Sequence, residues 1–231
     1  MLILGRCEFI ANRITSAGHR ANVAVGIGAL MQVGELHIES NEIVDTGNPV
    51  DEGTGSTRAY GIYGELILEA RIESNLVTYT NAFTRDPQAE DRALRMRGFL
   101  EFTPTDNITF GFPIQVFNNK FVGAGRSALV ELLQMSFNFG QFSLNVRFER
   151  VSFDHNYCMH ITAPQNREAA TVVLVGRRGI VMGNHVKAMP EVIPSVDFNN
   201  MPGPFIGNVT RGGAVNHADF PVTENNFNMT A

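Results

Sequence analysis

A six-residue pattern recurs along this chain and limits its fold more than any other feature: an apolar residue, two variable positions, Asn, one variable position, an apolar residue. It first appears as Phe9-Ile10-Ala11-Asn12-Arg13-Ile14. It returns as Ile38-Glu39-Ser40-Asn41-Glu42-Ile43 and Ile72-Glu73-Ser74-Asn75-Leu76-Val77. Further copies are Val116-Phe117-Asn118-Asn119-Lys120-Phe121, Val181-Met182-Gly183-Asn184-His185-Val186 and Val222-Thr223-Glu224-Asn225-Asn226-Phe227. Residues 146–151 keep both apolar anchors with Glu149 in the Asn slot, and 205–210, around Asn208, is a weaker copy. The first four asparagines are spaced by 29, 34 and 44 residues. That irregularity excludes a fixed-length helical repeat and suits stacked turns of strand whose connections vary in length.

The chemistry of the pattern explains the stacking. Side chains of a strand alternate between faces, so anchors on either side of a bend can both point inward. Asn tolerates the left-handed backbone region, so the bend is expected at the asparagine itself. Asn12, Asn41, Asn75, Asn119, Asn184 and Asn225 are therefore expected to mark equivalent corners and to form an amide ladder along the stack. Each layer cannot bury its own apolar face, and its neighbours complete a continuous core. Apolar runs with Gly-Ile pairs, at 23–30 and 60–68, and the run at 171–175, supply further strands.

These I-x-x-N-x-I motifs and Gly-Ile strands resemble the right-handed parallel β-helix repeat proteins of the pectate-lyase-like superfamily, from about residue 9 to 227. The resemblance implies an all-β, right-handed parallel β-helix, a single-stranded solenoid of about seven coils formed by residues 1–231 as one domain. It does not single out a function, because that superfamily contains polysaccharide lyases, hydrolases, tailspikes, adhesins and structural repeats.

Loop excursions are expected at 45–56, which is Gly-rich and polar, and at 80–97, the densest charge cluster. Residues 88–97 include the one stretch of good helix formers and are assigned to that second loop. Prolines 190, 194, 202 and 204 indicate an irregular connection.

Composition narrows the function classes. The net charge is −5 with no basic run, which argues against nucleic acid and acidic lipid as partners. Phe is abundant at 17 residues while Trp is absent, so the aromatic mass is read as core packing rather than a sugar-stacking platform. No signal peptide or membrane-spanning run is apparent, implying a cytoplasmic chain or one carried on a larger particle. Cys7 and Cys158 are read as buried small hydrophobes in a reduced protein. Asn107, Asn208 and Asn228 satisfy the N-x-T rule but are read as turn residues.

No motif specific for catalysis occurs, and no cofactor or metal is expected. The best local polar cluster is Arg147, Glu149, Arg150, Asp154, His155 and His160. Arg147 and Glu149, two apart, share a strand face, and Asp154 with His155 is the right type of pair for acid/base chemistry. The simpler reading is a salt-bridged surface and a turn. Glu39, Glu73, Glu101, Glu131, Glu149 and Asp154 place about one carboxylate on each coil, where stacking can align them. The repeat runs close to both ends without a polar cap, so self-association or a neighbouring domain is expected to cover the ends. The leading expectation is a structural, assembly or adhesion module, spike-like and non-enzymatic. The alternatives are a carbohydrate-active enzyme with a polysaccharide substrate, and a protein-binding scaffold that uses an end strand.

Overall fold

The computed structural model describes residues 3–17, 23–30, 32–47, 58–79, 90–98, 113–123, 127–133, 135–139, 142–146, 148–161, 170–189, 196–199, 201, 203–211, 215–216, 222–224 and 227–229. Among the described residues the protein is all-β, with no helix long and apolar enough to cross a membrane. Apart from one antiparallel hairpin, β15 (Met135–Phe139) with β16 (Phe142–Val146), the strand pairings are parallel.

The strands fall into three long parallel ladders. The first contains β2 (Cys7–Ile10), β6 (Glu35–Glu39), β9 (Glu69–Glu73), β12 (Pro113–Phe117), β17 (Phe148–Asp154), the second half of β19 (Val172–Met182), β22 (Pro204–Ile206) and β25 (Val222–Glu224). The second contains β3 (Arg13–Thr15), β7 (Glu42–Val44), β10 (Leu76–Thr78), β13 (Lys120–Gly123), β18 (Tyr157–Ile161), β20 (His185–Met189), β23 (Val209–Arg211) and β26 (Phe227–Met229). The third contains β4 (Val23–Leu30), β8 (Arg58–Ile67), β11 (Glu90–Gly98), β14 (Val130–Leu133), the first half of β19, β21 (Val196–Asn199) and β24 (Val215–Asn216). A short pair, β1 (Ile3–Leu4) with β5 (Gln32–Val33), completes the set. The second ladder has eight strands, one more than the roughly seven turns expected from the sequence.

The register places like on like. Phe9, Ile38, Ile72, Val116, Phe153, Val181 and Phe205 lie one over the next in the first ladder. Ile14, Ile43, Val77, Phe121, Cys158 and Val186 do the same in the second. These columns face inward, and most of their members are fully buried. A buried Ile or Phe is worth roughly 1.5–3 kcal/mol relative to exposure, so the stack of anchors supplies the main driving force. Cys7 and Cys158 are both free thiols; Cys158 is fully buried and its pKa is raised by that burial.

Between the first two ladders runs the asparagine column. The backbone N–H and the Nδ2–H of Asn12 both donate to Asn41 Oδ1, at 2.9 Å each. Asn41 makes the same pair of bonds to Asn75 Oδ1, Asn75 to Asn119, Asn119 to Asn156, Asn156 to Asn184 and Asn184 to Asn208. The other Nδ2 hydrogen reaches a strand carbonyl, such as Ile38 O from Asn75. A buried amide is thereby satisfied on every side, which its location requires.

The left-handed bend, however, is not at the asparagine. It falls one residue earlier, at Ala11, Ser40, Ser74, Asn118 and His155, with φ of 54–55°, and at Gly183 and Gly207 with φ of 63° and 64°. The bend one step before Asn turns the chain so that its N–H and Nδ2–H both aim along the stack.

Three sequence expectations change. The copy assigned to Glu149 is really Phe153-Asp154-His155-Asn156-Tyr157-Cys158: Asn156 takes the ladder position, while Glu149 lies on β17 and contacts Arg178. Asn208, read as weak, is a full ladder member. Residues 90–97, expected in a loop, form strand β11, which buries Ala93, Leu94 and Met96 and also Arg92. Residues 48–56 and 80–89 of the two expected loops, and Asn225, lie outside the described residues.

The third ladder has its own repeated corner. Gly26, Gly61, Ala93, Leu129 and Thr171 are successive occupants. Two consecutive amides, Ala93 N–H and Leu94 N–H, donate to Leu129 O, and those of Leu129 and Val130 donate to Thr171 O. A Cβ on Gly61 would sit 2.3 Å from Val77 Cγ1 and 2.8 Å from Ala93 O, which explains the glycine there.

Candidate functional site

Counting back from each ladder asparagine shows which outward side chains share a row on the first ladder. Two residues before it stand Ile10, Glu39, Glu73, Phe117, Asp154, Met182 and Ile206. Four residues before it stand Glu8, His37, Arg71, Gln115, Ser152 and Ile180, and six before it Arg6, Glu35 and Glu69. The same sheet face is therefore ionic over β2, β6 and β9. Further along, charges are sparser and the face is partly apolar, with Asp154, Arg150 and Arg178 beside exposed Ile180 and Met182.

His37 is the centre of the ionic part. Its side chain is only 8% exposed and that of Glu73 only 10%. Nε2 lies 3.0 Å from Glu73 Oε1 and 3.2 Å from Glu39 Oε2. On the other side of the ring, Arg6 donates to Nδ1 at 3.1 Å and Glu8 Oε1 lies 3.8 Å away. Arg6 also pairs with Glu8 at 2.6 Å and Glu35 at 3.4 Å. With Arg6 donating to Nδ1, the imidazole proton is on Nε2 and is donated to Glu73. Arg71 grips Glu73 with Nε on Oε1 at 2.6 Å and Nη2 on Oε2 at 3.0 Å, and its guanidinium lies 5.1 Å from the centre of the Phe117 ring. The hydrogen bonds from Arg71, outweighing desolvation, hold the Glu73 carboxyl below its ordinary range. His37, Glu39 and Glu73 offer one ligand atom each within 4.8 Å of one another, which makes them the residues able to hold a metal ion among those described.

A second charged group lies on the third ladder. Arg92 and Glu131 are both buried, with Nε 2.7 Å from Oε2, and Arg95 approaches the same oxygen at 3.3 Å. Both guanidiniums lie 5.8 Å from the centre of the Tyr60 ring, and Arg95 donates to the Tyr60 hydroxyl at 3.2 Å. Neighbouring Tyr63 has its pKa pushed up to about 12, first by burial and then by Glu65. Two arginines, an acid and the Tyr60 ring thus bring β8, β11 and β14 into contact through side chains, a structural use of charge.

The sequence candidates are placed as follows. Arg147 lies outside the described residues. Glu149 is half-buried and 3.5 Å from Arg178 Nη2. Asp154 accepts a hydrogen bond from Ser152 Oγ, and desolvation raises its pKa. His155 is an exposed corner residue whose ring covers Gly183, where a Cβ would meet it at 2.9 Å. His160 is wholly buried in β18. Arg150 is exposed on β17, in register with Pro113 and Arg178. Glu39 and Glu73 were visible as stacked carboxylates; His37, Arg71 and Arg6 were missed. The missed signal was their even offset from the ladder asparagines, four residues for His37 and Arg71 and six for Arg6.

The end of the stack at β2, β3 and β4 is the other unusual feature. These three strands have no partner on their outer side among the described residues. Ile10, Val23 and Leu30, exposed by 45, 51 and 53%, all belong to this layer. Phe9, Cys7 and Ile14 are only half-covered, whereas their counterparts Ile38, Leu36 and Ile43 are fully buried. Asn12 is exposed, and its Oδ1 is the terminal acceptor of the ladder. Comparison with protein-family models, with curated proteins and with solved structures gives no match to this chain.

Proposed function

We propose that this chain is a right-handed parallel β-helix of the pectate-lyase-like kind that serves as a structural, assembly module, joined to another copy of itself through the open end of the stack. The observation that carries this reading is the first layer: three strand edges unpaired among the described residues, with exposed Ile10, Val23 and Leu30 and the unextended asparagine ladder. Open edges carry rows of unmet N–H and C=O groups, and a parallel strand with the same Asn pattern meets both the backbone and the Asn12 Oδ1 requirement. The strands at the opposite end, β25 and β26, run in the same direction as β2 and β3, so a head-to-tail contact continues every ladder.

Sedimentation velocity across a hundredfold range of protein concentration tests the reading. Concentration-dependent association is expected, and Ile10→Lys with Leu30→Lys should shift the chain to monomer without loss of its β circular dichroism. A monomer at all concentrations, or association unchanged by the two lysines, contradicts it.

A further inference from the structure

The ionic patch on β2, β6 and β9 has a charge problem that its own arginines do not solve. Glu8, Glu35, Glu39, Glu69 and Glu73 share neighbouring rows with only two guanidiniums, Arg6 and Arg71. The carboxylates thus outnumber the guanidiniums by three on a small area of one sheet face. Two of the carboxylates, from adjacent strands, converge on one imidazole nitrogen. A rigid sheet supplies this convergence: His37 and Glu39 share a face on one strand, and Glu73 is the register partner of Glu39 on the next.

We propose that His37 Nε2, Glu39 and Glu73 form a Zn2+ site on the side of the stack. Bonds of 2.0–2.1 Å in a tetrahedral shell put neighbouring ligand atoms about 3.3 Å apart. Nε2 already lies 3.0 Å from Glu73 Oε1 and 3.2 Å from Glu39 Oε2, two edges of such a shell. The ion takes the place now held by the Nε2 proton, and the imidazole keeps one proton by moving it to Nδ1. Glu8 Oε1, 3.8 Å from Nδ1 and directly across in register, is placed to accept that proton, while Arg6 gives up its bond to Nδ1 and stays on Glu8 and Glu35. A carboxylate holding the remote nitrogen is the usual support of a metal-bound histidine. Arg71 keeps Nη2 on Glu73 Oε2 while its Nε gives up Oε1 to the ion. Glu39, 37% exposed, gives the ion its path in and leaves the fourth position to water. A set that mixes imidazole with few oxygens favours Zn2+ over Ca2+, which takes six to eight oxygens.

Titration of tag-free full-length chain with Zn2+ against a chromophoric chelator tests the site. One saturable equivalent per chain is expected. His37→Gln should abolish it, Glu39→Gln should weaken it by at least about tenfold, and Glu8→Gln by about tenfold through the lost support of Nδ1. His185→Gln serves as the control and leaves the affinity unchanged, and a millimolar excess of Ca2+ does not displace the ion. X-ray absorption should show imidazole nitrogen and oxygen without sulfur. No stoichiometric binding, binding retained in folded His37→Gln and Glu39→Gln chains, displacement by Ca2+, or a sulfur neighbour overturns the proposal. Glu39 is exposed, so its variant keeps the test informative even where His37→Gln perturbs folding.

Discussion

Two stacks lie side by side in this molecule and use repetition differently. The asparagine column repeats the same chemistry from Asn12 to Asn208, and each amide meets the next one's needs. The outward rows beside it change at almost every layer: Glu8, His37, Arg71, then Gln115, Ser152, Ile180. Positions that repeat are answering a demand of the fold, because a buried polar group must find its partner in every layer. Positions that depart from the repeat are free of that demand, and the ionic cluster around His37 has formed there.

That contrast predicts a hierarchy of sensitivity. The largest effect is expected within the column. Asn75→Ala removes the acceptor of two Asn41 donors and leaves Asn119 Oδ1 with only the backbone N–H of residue 75 in a buried site, costing about 3 kcal/mol. Asn12→Ala removes donors at an exposed end and should cost less than about 1 kcal/mol. Chemical denaturation of the two variants measures the gap; equal losses would mean that the column does not act as a buried, stacked network.

The ionic rows should be less sensitive and should depend on pH. Glu73→Gln breaks the contacts to Arg71 and His37 at a cost of about 1 kcal/mol near neutrality. Glu73 is held below its ordinary value of 4.5 in the folded chain, chiefly by Arg71. Its contribution is therefore fully present above that value and is lost as pH falls through the lower folded one. Denaturation of the wild type and Glu73→Gln between neutral pH and pH 3 should show the difference closing only below about 4.5. A difference independent of pH would show that the carboxylate charge is not what Glu73 contributes.

The sequence was most readable where local chemistry repeats. The apolar anchors and most of the ladder asparagines follow from the hexapeptide pattern, since a one-residue slip would turn the anchors outward. Asn156 was concealed because 146–151 also has two anchors, and the hairpin β15–β16 just before it stretches the spacing from Asn119 to 37 residues. Strand β11 was concealed by its composition. Arg92, Arg95 and Arg97 read as a charged loop, and the corner that turns both Ala93 and Leu94 inward breaks the two-residue alternation. The bend residue was misassigned because Asn is the familiar left-handed residue, whereas here its amide is needed for the column and the preceding residue bends instead. The His37 cluster requires the register of three layers at once, information that a single copy of the motif does not hold.

The register is the claim on which all of this rests, and a disulfide ruler reads it most directly. Parallel neighbours are 4.7–4.9 Å apart, inside the Cα range a disulfide can span. Glu42 and Leu76 are register partners on β7 and β10. In a Cys7→Ser background, Glu42→Cys with Leu76→Cys should oxidise to an intramolecular disulfide in the folded chain, while Glu42→Cys with Thr78→Cys, two residues out of step, should stay reduced. Efficient closure of the second pair in preference to the first would place Asn41 and Asn75 out of line and contradict the stacked column.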